Sequence, residues 1–199
     1  MRTRGWSGAT PSSDEEAAAR ILSAAKIAIE RDGDVNIADI ARAVGVTRQT
    51  VYRYFPSADA LLVAAAFDSA SDFLDQLAAH LSGLTDPAGA VVEGVAYTLE
   101  ALPANPYMRV LLTAERTGLF STSVTSDTAL LLARSILQRF SVDWGAEGFS
   151  ERDTDDIAEH MLRTLQSFVL DPGRPPRTGE ELREYLRRWT GAAIEHRRR

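Results

Sequence analysis

Polar side chains that suit the edges of DNA bases are concentrated in one short stretch near the start of the chain. Arg48 has a guanidinium fork that matches the two acceptors of guanine, and Gln49 has an amide that matches the donor and acceptor of adenine. Hydroxyl and amide groups that suit phosphates lie nearby, at Asn36, Thr47, Thr50, Tyr52 and Tyr54. These residue types predict contact with double-stranded DNA. The alternative is the solvated polar face of a short helix, and Arg53 is equally well interpreted as a solvent-facing or salt-bridged residue.

The pattern of apolar residues around this stretch predicts two short helices that cross at a tight turn. The apolar positions that would form the core between them are Ile40, Val44, Val46 and Val51. Asn36 can cap the first helix, Gly45 can end it in a left-handed conformation, and Thr47 can cap the second. The sequence therefore predicts a helix-turn-helix with the polar residues exposed at the start of its second helix.

Longer helices are predicted on both sides of this motif. Ser13 and Glu16 have the spacing of a capping box, and the helix that they begin continues to Gly33. Another helix begins near Pro56 and extends toward Leu81. The predicted organisation is a flexible arm over residues 1–12, a helix-turn-helix domain over 13–55, and a helical body over 56–199.

Helical periodicity continues to the end of the chain. The predicted helix starts are, in order, Asp86-Pro87, Asn105-Pro106, Ser121, Ser150 and the capping-box pair Thr178 and Glu181. The helix from Ser121 is expected to run to Phe140, and no segment alternates as a half-buried strand would. The predicted fold class is all-α, with about nine helices.

The formal net charge of −6 is unevenly distributed along the 199 residues. Residues 1–55 have eight basic and seven acidic residues, a net charge of +1. Residues 56–173 have six and seventeen, a net charge of −11, and residues 174–199 have eight and four, a net charge of +4. Because the acidic middle would repel a phosphate backbone, only the N-terminal part is a candidate for binding DNA.

Composition and motifs exclude several kinds of site. The chain has no cysteine and so cannot form a disulfide or a thiolate nucleophile. His80, His160 and His196 lack the paired spacing of a metal site, and no phosphate-binding glycine loop or serine-hydrolase motif occurs. We therefore expect no metal, no cofactor and no enzymatic activity. With no apolar run near the roughly 20 residues that span a bilayer and no signal peptide, a cytoplasmic protein is expected.

Residues 20–62 resemble the DNA-binding head of the TetR family of transcriptional repressors. The resemblance rests on the segment RILSAAKIAIERDGDVNIADIARAVGVTRQTVYRYFPSADALL, with its first helix, Ile-Ala before Gly-Val, Tyr-x-x-Phe and a downstream leucine. It implies a dimeric, all-helical repressor with a variable ligand-binding body. Two positions depart from the family pattern: Ala58 replaces a lysine that meets a phosphate, and Ala38 occupies a position often used for DNA contact. We expect Arg2 and Arg4 of the arm to compensate for these lost contacts.

Apolar and aromatic residues on the central helices predict a ligand pocket in the body. The residues expected to line it are Tyr97, Met108, Leu111, Glu115, Leu132, Ile136, Met161, Leu165 and Phe168. Such a lining favours a small hydrophobic or aromatic effector of unknown identity. The alternative for most of these residues is ordinary core packing.

The last two predicted helices have wide apolar stripes that one chain cannot easily cover. On the first they are Ile157, Met161, Leu162, Leu165, Phe168 and Val169, and on the second Leu182, Tyr185, Leu186, Trp189, Ala193 and Ile194. The family resemblance implies that these helices pair with their copies as a four-helix bundle in a homodimer. The alternative is a core within one chain.

Together these features predict a ligand-responsive transcriptional regulator, a repressor that binds a palindromic operator as a homodimer and is released by its effector. The fourth helix, which begins near Pro56, would carry the change from body to head. The alternative is a helical small-molecule carrier or enzyme whose helix-turn-helix no longer binds DNA. Activation is as compatible with the sequence as repression.

Overall fold

The computed structural model describes residues 6–107 and 126–197, except for the side chains of residues 7, 70–72 and 128. The described residues contain helices and no β-strand, which confirms the predicted all-α class. Numbered in chain order, the helices are α1 (Asp14–Asp32), α2 (Ile37–Val44), α3 (Arg48–Tyr54), α4 (Ala58–His80), α5 (Pro87–Ala101), α6 (Asp127–Leu137), α7 (Glu151–Leu170) and α8. Helix α8 joins Gly179–Leu186, a π-helical turn at Arg187–Gly191, and Ala192–Arg197. These eight helices are close to the predicted number. Among them, none combines the length and apolar character needed to cross a bilayer.

The chain forms two compact units. Among the described residues, the first unit contains 6–71 and 104–107, and the second contains 72–103 and 126–197. Helix α4 begins in the first unit and ends in the second. Each unit has its own hydrophobic core.

The caps predicted for the first three helices are confirmed. The Ser13 hydroxyl accepts a hydrogen bond from the Glu16 amide, and Gly33 ends α1 with a left-handed backbone at φ 70°. The Glu16 carboxylate accepts from the Ser12 amide rather than from Ser13, so only the first half of the predicted capping box forms. Asn36 accepts from the Ala38 amide at the start of α2, and Thr47 accepts from the Thr50 amide at the start of α3. Each cap satisfies an amide that the first turn of a helix leaves unpaired, so these starts are set by local sequence.

Two aromatic residues from outside the predicted helix-turn-helix domain pack on the core of the first unit. Trp6 lies in a short 3-10 turn and donates its backbone N–H to the Gly45 carbonyl oxygen at 2.8 Å. Tyr107, which is only 5% exposed, donates its hydroxyl to Glu30 at 2.8 Å. Burial raises the pKa of this tyrosine. The first unit therefore includes a segment that follows α5 in the sequence.

The second unit is built around α5. Asp86 caps this helix by accepting from the Gly89 amide at 2.7 Å, as the Asp86-Pro87 pair predicts. Ser150 caps α7, and its capping box is completed by Asp153. The side chains that fill the core of this unit include Leu81, Val91, Val95, Leu137, Phe140, Ala158, Leu182 and Leu186.

The predicted bounds of the helix from Ser121 to Phe140 are wrong. Ser126 has an extended backbone and caps α6 by accepting from the Ala129 amide, so the helix starts at Asp127. It ends at Leu137, whose carbonyl oxygen accepts the indole N–H of Trp144 at 3.1 Å. The Leu137 carbonyl is one of the last carbonyls of α6, which have no partner within the helix, and the indole from the following loop supplies one.

The predicted capping box at the start of α8 does not form. Thr178 occupies the N-cap position, but its side chain makes no capping bond. The Gly179 amide donates instead to Glu100 on α5 at 3.1 Å. The first turn of α8 is therefore tied to a distant residue, which the spacing of Thr178 and Glu181 could not reveal.

The apolar stripe of α8 changes face at its π-helical turn. Leu182 and Leu186 are buried, but Trp189 is 63% exposed and Ala193 is exposed as well. Because a π turn adds one residue to the helix, Thr190 and Ile194 take the buried positions that regular α-helical spacing assigns to Trp189 and Ala193. Within one chain, Leu182, Leu186 and Ile194 therefore lie on the buried side of α8, and Trp189 and Ala193 lie on the exposed side.

Candidate nucleic-acid interface

Helices α2 and α3 are held together by the small core that the sequence predicts. Val51 and Ile40 are essentially inaccessible to solvent, and Ala41 is also buried. Gly45 has φ 77°, and the Val46 amide donates to the Ala41 carbonyl oxygen at 2.9 Å across the turn. Because glycine adopts a left-handed backbone conformation at little energetic cost, the chain can reverse direction here without strain. The turn therefore fixes α3 against α2.

The opposite face of α3 is exposed. Arg48, Gln49 and Tyr52 all project into solvent, Tyr52 with 48% of its surface accessible. Within the described part of the chain, the side chains of Arg48 and Gln49 make no hydrogen bond or ion pair. Their donors and acceptors are available for base edges, and the buried Val51 behind them holds the helix in place.

Three of the predicted DNA-binding residues already make hydrogen bonds within the first unit. The Thr47 hydroxyl accepts from the Thr50 amide and lies 2.9 Å from the Thr50 hydroxyl. Asn36 uses its side-chain oxygen to cap α2 through the Ala38 amide at 2.8 Å. All three residues keep some exposure, so DNA contact would add to these capping roles.

Tyr54 has an internal partner that the sequence does not suggest. Its hydroxyl donates to Asp14 Oδ1, at the start of α1, at 2.7 Å. The Arg53 guanidinium donates to the same hydroxyl at 2.5 Å and lies 4.0 Å from the Asp14 carboxylate. The edge of the Trp6 ring faces the Tyr54 ring, with the two ring centroids 6.5 Å apart. Arg53 is therefore salt-bridged, one of its two predicted alternatives.

The sequence interpretation missed Trp6 and Asp14. A tryptophan within an otherwise small and polar arm was the available signal for Trp6, because such a large ring usually has a packing partner. From Trp6 onward the arm contacts the first unit: the Ala9 carbonyl oxygen accepts from Arg20. Arg2 and Arg4 lie outside the described residues, so their proposed DNA contact stays a prediction.

The predicted ligand-pocket residues are only partly brought together. Met108, Leu111 and Glu115 lie outside the described residues. Met161 is buried in the core of the second unit, and the half-buried members that pack against this core are Tyr97, Ile136, Leu165 and Phe168. Leu132 is half-buried on α6. The Tyr97 ring stacks on His80 with centroids 4.3 Å apart, so part of its surface is already used within the unit.

A half-open groove of about 590 Å³ lies elsewhere in the second unit, between the end of α6 and the start of α7. Its lining includes the aromatic rings of Trp144 and Phe149 and the hydroxyl of Thr154. Arg134 and Asp155 also line the groove, and they form an ion pair in which Nε and Oδ1 are 2.5 Å apart. None of the six predicted pocket residues that the structure describes lines this groove.

The predicted dimer residues divide into two groups. Ile157, Met161, Leu182 and Leu186 are buried in the core of their own chain, so a partner cannot contact them in this structure. The residues that keep exposed surface are Leu162, Leu165, Phe168, Val169, Tyr185 and Trp189. These six of the ten predicted dimer residues keep surface that a partner could contact, and the interface itself stays a prediction.

An aromatic row connects α7 with α8 on this surface. Phe168 and Tyr185 meet edge to face with centroids 5.7 Å apart, and Tyr185 and Trp189 are 6.4 Å apart. The Arg177 guanidinium lies over the Tyr185 ring, 4.5 Å from its centroid. Aromatic rings with adjacent arginine are typical of the centre of protein interfaces.

The model of the tetR family of bacterial regulatory proteins matches residues 21–65. This range covers most of α1, the whole helix-turn-helix and the first third of α4.

Among the described residues, no three His, Asp or Glu side chains are grouped as metal ligands would be.

Two curated proteins of Mycobacterium tuberculosis are similar over most of the chain. The uncharacterized HTH-type transcriptional regulator Rv1255c of strain H37Rv is 27% identical over 163 residues, which cover 80% of this chain and 78% of that protein. The HTH-type transcriptional regulator AlkX of the same strain is 25% identical over 142 residues, covering 69% of this chain and 66% of AlkX. The family match confirms the predicted TetR-like head over residues 21–65, and both relatives are named as transcriptional regulators.

Proposed function

We propose that this chain, a TetR-family transcriptional regulator, binds palindromic operator DNA as a homodimer and represses transcription until a small, largely apolar effector releases it. The observation that carries DNA binding is the division of α3 into two faces. Val51 is fully buried, while Arg48 and Gln49 are exposed with their polar groups available. This is the arrangement that base reading in a major groove requires.

The homodimer is supported by the aromatic row on α7 and α8. Trp189 is 63% exposed, and Tyr185 and Phe168 continue the apolar surface toward α7. A two-fold pair of chains would present two α3 helices to two half-sites, which explains why a palindromic operator is proposed.

Effector release is proposed as a linkage between the two units. An effector that binds one conformation of the second unit more tightly shifts the population toward it, and operator affinity falls by the same coupling free energy. Helix α4 is one covalent route for this coupling, because it begins in the first unit and ends in the second. The protein is expected to act in the cytoplasm, where its operator and effector meet.

DNA binding is tested by selecting duplexes from a random-sequence pool with the full-length protein, together with gel shifts on the DNA that flanks its gene. One palindromic sequence should be enriched, and Arg48→Ala should weaken binding to it by about tenfold to a hundredfold. The matched control is Arg31→Ala, which removes an exposed arginine from the far end of α1 and should change affinity little. If no sequence is enriched at low salt, DNA binding is wrong and the carrier or enzyme alternative is favoured.

Effector release is tested separately once an operator is known. A panel of hydrophobic and aromatic compounds is screened by thermal shift, and operator affinity is then measured with each compound that binds. We expect at least one to weaken operator binding while leaving the protein folded. Compounds that bind without changing operator affinity would contradict release and leave DNA binding intact.

A further inference from the structure

The contact between α1 and α3 occupies donors at the end of the DNA-reading helix. Tyr54, the last residue of α3, gives its only hydroxyl hydrogen to Asp14 Oδ1 at 2.7 Å. Arg53 lies 4.0 Å from the same oxygen. One carboxylate therefore engages both polar residues at the end of α3.

Asp14 is held in this place by its own helix. It is the first residue of α1, directly after the N-cap Ser13, whose hydroxyl accepts from the Glu16 amide at 3.2 Å. The edge of the Trp6 ring packs against the Tyr54 ring and limits where that ring can move. The Asp14 side chain nevertheless remains 84% exposed, so it faces the region that a bound DNA backbone would occupy.

A carboxylate and a DNA phosphate compete for the same donors. Both are anionic oxygen acceptors, and a tyrosine hydroxyl that donates to one cannot donate to the other. An ion pair this exposed is weak, so a phosphate can replace it, but the uncompensated Asp14 charge then faces the DNA.

We propose that Asp14 limits the DNA affinity of this protein by holding the Tyr54 hydroxyl and the Arg53 guanidinium in place of a backbone phosphate. This inference rests on the proposed DNA-binding function. In the native chain, the two donors add to DNA affinity only after a phosphate has displaced the carboxylate. Removal of Asp14 should therefore strengthen binding.

The test compares Asp14→Ala with Glu15→Ala in the full-length protein. Both substitutions remove one carboxylate from the exposed first turn of α1, so they have the same effect on net charge and a similar effect on the helix dipole. Of the two, Asp14 is the residue that bonds Tyr54. The probe is a fluorescein-labelled duplex of the selected operator, with a scrambled duplex beside it, titrated between about 50 and 200 mM salt. Thermal unfolding checks that both variants fold.

Asp14→Ala is expected to tighten binding to both duplexes by about threefold to tenfold, because phosphate contacts are independent of sequence. The slope of log affinity against log salt should steepen by about 0.9 for each additional phosphate that the variant neutralises. Glu15→Ala should tighten binding less and leave the slope as it is in the native protein. Equal effects of the two variants, or weaker binding by Asp14→Ala, would overturn the inference.

A double-mutant cycle separates this inference from the function on which it rests. In an Arg53→Ala, Tyr54→Phe background, Asp14→Ala should lose its advantage over Glu15→Ala, because the released donors are absent. An advantage that persists there contradicts the proposed exchange. If the native protein selects an operator through Arg48 but Asp14→Ala has no specific effect, only this inference fails. If no operator is selected at all, the proposed function fails.

Discussion

The Arg183 guanidinium on α8 donates to both carboxylate oxygens of Glu93 on α5, with each donor 2.7 Å from its acceptor. The same guanidinium bonds Glu100, about two helical turns further along α5, at 2.8 Å. His80 Nε2 lies 2.7 Å from the Glu93 carboxylate. This network ties the start of α8 to α5, where the capping box expected from the sequence does not form.

The network predicts a specific loss of stability when its centre is removed. Arg183→Met keeps the apolar stem of a side chain that is only 17% exposed but leaves two carboxylates without their main partner. We expect the free energy of unfolding to fall by about 2 kcal/mol. Urea unfolding at one protein concentration measures it, with Arg188→Met, an exposed arginine on the same helix, as the control that should change little.

The contribution of Arg183 should disappear in acid. Its hydrogen bonds lower the pKa of Glu93 from 4.5 to about 2, and they also lower the pKa of Glu100. Because the folded state favours the ionised carboxylates, the stabilisation is present above the unfolded pKa and is lost as the pH falls from 4.5 toward 2. The difference in stability between the native chain and Arg183→Met should therefore shrink over this range. A difference as large near pH 3 as near pH 7 would contradict this origin.

The capping role of Asn36 can be tested by its effect on stability, without measuring DNA contact. Its side-chain oxygen accepts from the Ala38 amide at 2.8 Å, so Asn36→Ala should cost about 1 kcal/mol of stability. Asn36→Asp keeps an equivalent acceptor and should leave stability nearly unchanged. If both variants unfold like the native protein in urea, the side chain does not cap α2 in solution.

The helix starts that the sequence predicts correctly depend on residues next to each other in the chain. Ser13, Asn36, Thr47, Asp86 and Ser150 all cap through an amide two or three residues away. The Gly45 turn is equally local. For this reason the exposed face of α3, which we propose contacts DNA, could be predicted in detail, including the exposure of Arg48 and Gln49.

The features that the sequence did not predict depend on distant partners. Glu100 accepts from the Gly179 amide at the start of α8, and Trp144 donates to the carbonyl of Leu137 at the end of α6. Asp14 reaches Tyr54 across forty positions of the sequence, and Tyr107 enters the core of the first unit. The spacing of residue types along one helix does not indicate which distant residues that helix will contact. For this reason the internal contacts of Tyr54 were not predicted.

Tyr107 should stabilise the first unit through both its ring and its hydroxyl. Tyr107→Ala empties a buried aromatic site and should cost about 3 to 5 kcal/mol. Tyr107→Phe keeps the ring and removes the bond to Glu30, so its cost should be about 1 kcal/mol. Urea unfolding of both variants gives the comparison. Equal costs would show that the ring contributes nothing beyond its hydroxyl.

The aromatic row predicts how the proposed dimer can be broken without unfolding the chain. Trp189 is 63% exposed and touches Tyr185, so Trp189→Glu removes no core side chain but puts a charge in the centre of the proposed interface. Burying that charge against a partner should weaken dimerisation by at least about tenfold. The control is Leu131→Glu, because Leu131 is 62% exposed in the same unit but lies on α6, away from the row. Sedimentation equilibrium should show monomers for Trp189→Glu at concentrations where Leu131→Glu stays dimeric. If Leu131→Glu dissociates the protein and Trp189→Glu does not, the pairing surface includes α6 rather than the aromatic row.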